Sequence, residues 1–557
     1  MNQNHFEFWP KRLSKTLTVP KTTLFDNFEV SARRYPSKEA LNYYGTTITY
    51  SELYEDVISL AGYLEHKMGV KAGEHVLLFM QNSPQFIIAF HAIIRLRAVV
   101  VPINPMNTSE ELAFYVKDCA VKHALVGQEL FERVEPLLTT TPLKDVIVAA
   151  YSDYVGTSEQ DGSLPQEVSC PRLTFAQSTY FVWNDCLDAR YVPRENKGKS
   201  TDIAVLPYTS GTTGLPKGCI HTNETVQANV VSAYHWMNGT SDAVCLMTLP
   251  LFHVTGMVHS MLAPIYSGAT VVVMTRWDRE YAAKIIEHTK TTHWVNISTM
   301  LIDFLSNPTL SNYDISSLSG ISGGGAPLPE AVGEKLFNLT GLRFVEGYGL
   351  SETISQTHFN PPDRPKLQCL GIPSFDVDAR IIDPVSLVEV DTGEIGEIVV
   401  NGPQLFKGYY NREDENRSSF MKIGGKRFFR TGDIARVDEE GYFFIVDRVK
   451  RMINASGYKV WPTEVESLLY KHPAVQQACV VGVPDERRGE TVKAFIILQT
   501  NYEGKIAEQE IIAWSKEQMA AYKYPRNIEF KKTFPTTSSG KILWRKLQEE
   551  ELTKIKG

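Results

Sequence analysis

The stretch around residues 76–101 constrains the fold more than any other. Val76-Leu77-Leu78-Phe79-Met80 is an unbroken apolar run of strand length. Ser83-Pro84 follows, a hydroxyl able to cap a helix and a proline suited to its first position. Phe86, Ile87, Phe90 and Ile94 then recur at helical spacing, and Ala98-Val99-Val100-Val101 is a second apolar run. Strand, helix, strand with wholly apolar strands predicts a parallel sheet buried on both faces. The rhythm returns over residues 270–274, 281–288 and 294–297. Residues 152–170, rich in Gly, Ser and Asp, read as a surface loop.

The texture changes after Gly371. Short strand patterns at 377–382, 397–400 and 443–446 are split by turns such as Asp391-Thr392-Gly393 and Glu440-Gly441. They predict a more antiparallel, β-barrel-like subdomain. From Arg448 a compact α+β unit is expected, with helices at 463–470 and 508–519 and strands at 478–483 and 492–498. At 557 residues the chain exceeds one core, since single cores stop growing near about 250–300 residues. The expected fold class is therefore α/β, with a large N-terminal domain of layered sheets (1–447) and a small α+β domain (448–557).

Composition removes several classes of function. Basic residues number 57 and acidic residues 64, a formal charge of −7 with no basic block, so nothing favours nucleic acid. The apolar stretch 86–103 is interrupted by His91, Arg95, Arg97 and Pro102, so no integral membrane segment is expected. Residues 1–15 lack the apolar core of a signal peptide. The seven cysteines are scattered, odd in number and without a C-x-x-C pair, which fits a reducing compartment and neither a disulfide framework nor zinc. A cytoplasmic enzyme is the expectation.

The strongest chemical signal is Thr209-Ser210-Gly211-Thr212-Thr213-Gly214-Leu215-Pro216-Lys217-Gly218, which follows an apolar run. Glycines admit close backbone approach, and hydroxyls, backbone N–H groups and an ammonium together suit a polyphosphate. The Walker spacing is absent, so this is not a P-loop.

This segment resembles the phosphate loop of the adenylate-forming superfamily, which holds acyl-CoA synthetases, luciferases and peptide-synthetase adenylation domains. The likeness continues in order. Leu249-Pro250-Leu251-Phe252-His253 is similar to the family's segment at the acyl-pocket mouth, and Gly323-Gly324-Gly325-Ala326-Pro327-Leu328 to its adenine-contacting loop. Gly347-Tyr348-Gly349-Leu350-Ser351-Glu352-Thr353 resembles its Tyr-Gly-x-Thr-Glu motif, and Arg430-Thr431-Gly432-Asp433 its Arg-Thr-Gly-Asp element. Asp447-Arg448-Val449-Lys450 begins its hinge block, which Ser456-Gly457 and Pro462-Thr463-Glu464-Val465-Glu466 complete. Pro535-Thr536-Thr537-Ser538-Ser539-Gly540-Lys541 resembles its catalytic-lysine motif. Before residue 200 only Thr49-Tyr50-Ser51-Glu52-Leu53 is similar to a family segment.

The resemblance implies roles. ATP, with Mg²⁺ on Glu352, is held by Thr209, Ser210, Gly211, Thr212, Thr213, Gly214 and Lys217. Gly325, Ala326, Pro327, Gly347, Tyr348, Gly349 and Ser351 line the nucleotide, and Asp433 and Arg448 reach the ribose or phosphate. Lys541 bridges carboxylate and phosphate during adenylation, with Thr209 and Glu352 as catalytic partners. The small domain then swings at Lys450, and Ser456, Gly457 and Tyr458 face the thiol of CoA. A homodimer is the family's suggestion, and peripheral membrane contact stays open because such substrates are amphiphiles.

His253, Val254, Gly256, Met257, Ile297, Met300, Gly323 and Gly347 are the expected acyl pocket, with His253 a gate or a packed aromatic. An apolar lining favours a fatty acid over acetate. No Asp follows Phe252, where an amino-acid-activating domain would pair the substrate ammonium. The hinge block and Arg488-Gly489-Glu490-Thr491-Val492-Lys493 resemble the medium- and long-chain fatty-acid–CoA ligase branch. An aryl-CoA ligase and an acyl-AMP ligase loading a carrier protein are the alternatives.

Overall fold

In the computed structural model the described residues are 4–156, 164–175, 180–209, 215–325, 327–448, 451–455, 458–485, 489–535 and 542–556. For Arg448, Tyr458, Lys459, Ile555 and Lys556 only the backbone is described. The chain divides into two compact units. The first is Met1–Asp378, Val400–Phe429 and Glu440–Tyr442; the second is Ala379–Val399, Arg430–Glu439 and Phe443–Gly557.

The first unit holds two large sheets. One runs in the order His221–Thr222, Ile203–Val205, Val99–Pro102, His75–Phe79, His123–Gly127, Asp145–Ala149, Tyr180–Val182. Its pairs are parallel apart from the edge strand His221–Thr222. The other runs Ile372–Pro373, Ser355–Phe359, Val345–Leu350, Gly320–Gly324, His293–Ile297, Val244–Met247, Thr270–Val273, Glu39–Tyr43, Thr46–Thr49. Its centre is parallel and both its ends are antiparallel.

Helix Pro84–Arg95 starts as the sequence predicts. Ser83 Oγ accepts the Phe86 N–H at 3.2 Å, with Pro84 at the first helical position. Every residue from Pro84 to Ile94 is buried, so a helix apolar on all sides is covered on all sides. His91 inside it has its pKa lowered to about 4 by burial, and the neutral ring donates through Nδ1 to Ile87 O at 2.9 Å. The segment 49–53 is a helix start. Thr49 Oγ1 accepts from Glu52 N at 3.3 Å and Glu52 Oε2 accepts from Thr49 N at 2.8 Å, a reciprocal capping box. Residues 152–170 are not all loop: short helical turns form at Tyr151–Tyr154 and Gln166–Ser169, with 157–163 outside the described residues.

In the second unit, Val475–Asp485 pairs along its length with Gly489–Leu498, and Asn527–Phe530 lies parallel to Gly489–Leu498. Helices Pro462–Leu469, Glu508–Gln518 and Trp544–Lys556 complete it, around a core that includes Val465, Leu469, Val480 and Ile496. Arg451 ties the start of this region to helix Pro462–Leu469. Its Nη2 donates to Glu466 Oε1 at 2.5 Å, and Glu466 Oε1 also accepts from Val480 N at 2.8 Å. Asp447 Oδ2 accepts from Thr463 N at 2.8 Å. Strand Phe443–Arg448 pairs antiparallel with the long strand Lys426–Val437 over residues 433–437.

Burial raises Glu129 to about 7, against the hydrogen bond that Tyr151 donates to its Oε1 at 3.0 Å. A carboxyl raised on folding binds protons that the unfolded chain releases, so it contributes stability below about pH 4.5 that is lost as pH rises through about 7. Glu129→Gln removes that loss. The melting midpoint of the variant should rise relative to wild type at pH 8, by up to about 3 kcal/mol in stability, and change little at pH 5. An equal shift at both pH values would contradict this.

Candidate active site

The site in the first unit is built on a hairpin. Tyr208–Thr209 pairs antiparallel with Lys217–Gly218, in register Thr209 with Lys217. The loop between them, with Ser210, Gly211, Thr212, Thr213 and Gly214, lies outside the described residues. The hairpin sets the loop's two ends side by side, which brings the Thr209 hydroxyl and the Lys217 ammonium onto neighbouring strands.

The returning strand is held from its far side. Tyr410 N donates to Gly218 O at 2.8 Å, Ile220 N to Gly408 O at 3.0 Å and Lys407 N to Ile220 O at 2.9 Å. This pairing seats Tyr409 under Lys217, whose Nζ lies 4.4 Å from the Tyr409 ring centroid. The ring therefore stabilises the ammonium from one side. Asn416 fixes Tyr409 by accepting its N–H at 2.7 Å and donating to its carbonyl at 2.9 Å. Gly408 has φ +147, and a Cβ there would meet Asn416 Oδ1 at 2.9 Å.

Tyr409 OH donates to Glu352 Oε1 at 2.6 Å. Burial, then the Glu352 charge, push the phenol well above its ordinary range, so it stays a donor. The turn Ser351–Thr353 that carries Glu352 is fixed through its backbone. His221 Nε2 donates to Ser351 O at 2.8 Å, Phe406 N to Glu352 O at 2.9 Å and Asn229 Nδ2 to Thr353 O at 2.8 Å. Burial lowers His221 to about 3, so its ring is neutral. The chain leaves the turn through two left-handed residues, Ile354 at φ +44 and Ser355 at φ +97. Such strain in a branched residue persists only where the surroundings over-determine it. Gly349 is required by the same reversal, because a Cβ would sit 1.6 Å from Ser355 O.

Gly323 and Gly324 lie on strand Gly320–Gly324, opposite Glu346 and Gly347. A Cβ on Gly323 would meet Asn296 O at 2.0 Å and one on Gly324 would meet Gly347 O at 2.4 Å, so both serve close strand approach. Gly325 at φ +85 turns the chain out of the sheet toward the exposed Pro327, while Ala326 lies outside the described residues. Tyr348 packs against His358 with ring centroids 5.7 Å apart.

Among the expected acyl residues, Val254 and Met257 are buried, Ile297 and Met300 are half-buried, and His253 is exposed. Ile297 is the register partner of Gly324. Gly256 opens a π-helical turn, Gly256–Leu262, and its missing Cβ leaves space filled by Pro250 O, 2.3 Å away.

In the second unit, Asp433 is buried and is the register partner of Arg448. The residues before Asp433 shape its turn. Arg430 Nη2 donates to Glu397 Oε2 at 2.6 Å, Gly432 N to Glu397 Oε1 at 3.1 Å and Thr431 Oγ1 to Ile398 O at 2.8 Å. Lys450, Ser456, Gly457 and Lys541 lie outside the described residues, and Tyr458 is described in its backbone alone. Sequence reasoning missed Tyr409, His221 and Asn229. Each acts through a partner more than a hundred or several tens of residues away, and no local spacing marks it.

Comparison with known proteins agrees with this arrangement. Residues 28–410 match the AMP-binding enzyme family, and residues 464–541 match the AMP-binding enzyme C-terminal domain. The chain is 34% identical to a long-chain-fatty-acid–CoA ligase of Bacillus subtilis (strain 168), covering 98% of this chain and 97% of that protein. It is 32% identical to a feruloyl-CoA synthase of an Amycolatopsis species, covering 92% and 96%. The crystal structure of the anthranilate CoA ligase AuaEII with anthranoyl-AMP superposes with a TM-score of 0.81 at 26% identity, covering 97% of this chain and 99% of that one. Matched along nearly its whole length, the chain belongs to the AMP-binding, adenylate-forming family, and the protein is an AMP-forming acid–thiol ligase, an acyl-CoA synthetase.

Proposed function

We propose that the acid is a medium- or long-chain fatty acid. The observation that carries this reading is the apolar character of the expected pocket residues, with Val254 and Met257 buried and Ile297 and Met300 half-buried. A further small pocket of about 60 Å³ on strand His293–Ile297 is lined by Tyr234, Met237, Leu246, Ala263, Pro264 and Val295 among others. An apolar lining suits an alkyl tail. The relatives named as long-chain-fatty-acid–CoA ligases support the same choice. The feruloyl and anthranilate relatives keep an aryl acid as the second reading.

ATP enters with its phosphates over Thr209, Ser210, Gly211, Thr212, Thr213, Gly214 and Lys217. Glu352 fits Mg²⁺, since that ion commonly takes one or two carboxylates and completes its shell with phosphate and water. Held by Glu352, such an ion would supply charge neutralisation on the phosphates while the carboxylate of the acid attacks the α-phosphate and pyrophosphate leaves. Lys217, steadied on Tyr409, and Lys541 supply the positive charge that lets two anions meet. Gly325, Ala326, Pro327, Gly347, Tyr348, Gly349 and Ser351 line the nucleotide, and Asp433 and Arg448 take its ribose.

In the second half-reaction the small domain, from about residue 448, turns at Lys450. Lys541 withdraws and Ser456, Gly457 and Tyr458 face the acyl adenylate. Gly457 leaves room for the pantetheine thiol, which attacks the acyl carbonyl and expels AMP.

Two measurements test this. AMP release with ATP, Mg²⁺ and CoA should peak at medium or long chains in a panel running from acetate to hexadecanoate with benzoate and cinnamate. Activity confined to the aryl acids would replace the substrate and keep the mechanism. Lys541→Ala should abolish adenylation yet spare thioester formation from supplied acyl-AMP, while Gly457→Leu should do the reverse. Equal loss of both half-reactions in either variant would remove the two-pose assignment.

A further inference from the structure

The seven-stranded sheet contains a crevice of the kind that binds ligands in doubly wound folds. From His75–Phe79 the chain crosses to Val99–Pro102 on one side and then to His123–Gly127 on the other. The strand order reverses there, and the carboxyl end of His75–Phe79 faces the switch point. Gln81, Asn82 and Ser83 occupy that end, and all three are buried.

The crevice is filled by the chain itself. Asn82 Nδ2 donates to Leu249 O at 2.9 Å and to Met274 O at 3.3 Å, and its Oδ1 accepts from Leu251 N at 2.9 Å. One amide thus holds the segment on both sides of Pro250, which has no N–H of its own. Asn82 is itself fixed, for Thr275 Oγ1 donates to Asn82 O at 2.9 Å and Tyr43 OH lies 2.8 Å from Thr275 Oγ1. Gln81 N donates to Tyr151 OH at 2.8 Å on the other flank. Leu249 and Leu251 are 3% and 0% exposed, so these polar contacts are shielded from water and worth more than surface ones.

What the amide holds leads straight to the acyl-pocket residues. His253 N donates to Pro250 O at 3.2 Å, Met257 N to His253 O at 3.0 Å, and Gly256 packs against Pro250 O. A shift of Leu249 or Leu251 would therefore move His253 and the start of the π-helical turn Gly256–Leu262.

We propose that Asn82 is a positioning residue that sets the mouth of the acyl pocket, and that the switch-point crevice has become a socket for the Leu249–Leu251 segment in place of a ligand site. The inference rests on residues 249–257 bordering the acyl group, as in the function proposed above.

The test compares Asn82→Asp, Thr275→Val and Met257→Trp in the full chain, with dodecanoate and ATP varied in turn. Asn82→Asp keeps the size and loses both donated bonds. It should raise KM for dodecanoate about tenfold or more and leave KM for ATP within about twofold. Thr275→Val, which loosens Asn82 without touching its amide, should act in the same direction by about threefold, and carries the test alone if Asn82→Asp does not fold. Met257→Trp should block the pocket. If it raises KM for dodecanoate while the other two variants alter both KM values alike or neither, the proposal is overturned and the functional reading survives. If Met257→Trp leaves KM for dodecanoate unchanged, residues 249–257 do not border the acyl group, and both fall.

Discussion

The hydrogen bond from Tyr409 to Glu352 is the interaction on which the candidate site depends. Tyr409 touches both halves of the candidate site, its ring under Lys217 and its hydroxyl on the Glu352 carboxylate. Each half is otherwise held by backbone contacts. The strand at Lys217–Gly218 is fixed by residues 407–410, and the Glu352 turn by His221, Phe406 and Asn229. Tyr409 thus meets an ammonium on its ring face and a carboxylate at its hydroxyl.

Glycine and strain serve the same end. The strand carrying Gly347 and Gly349 turns back through Ile354 and Ser355, both left-handed, and Gly349 is the only residue type that the approach of Ser355 O allows. The reversal presents Glu352 at a sharp corner. Arg430, Thr431 and Gly432 do comparable work in the second unit, using Glu397 and Ile398 to fix the turn that presents Asp433. Motif residues such as Gly349, Arg430 and Thr431 thus shape the backbone that carries Glu352 and Asp433.

Much of the fold was legible because its causes are local. Buried parallel strands need unbroken apolar runs, and Ser83-Pro84 marks a helix start whatever surrounds it. The segment 209–218 marked itself by composition, and its two ends prove to be paired strands, Tyr208–Thr209 with Lys217–Gly218. Tyr409 and Asn82 were not legible, because each acts across the sheet topology on residues with which it shares no periodicity. The similarity at 49–53 turned out to report a capping box. The short helical turns inside 152–170 form in a polar stretch that offers no helical period. Chain length was beyond the sequence because cavity depth follows from which strand residues face the covering helices.

Tyr409→Phe is the most direct measurement, for it keeps the ring under Lys217 and deletes only the hydroxyl on Glu352. A hydrogen bond to a charged group is worth about 1.5–3 kcal/mol. Pyrophosphate release by the variant should need about tenfold or more ATP and Mg²⁺ for half-maximal rate, with KM for dodecanoate unchanged. Wild-type dependence on both ATP and Mg²⁺ would contradict the account.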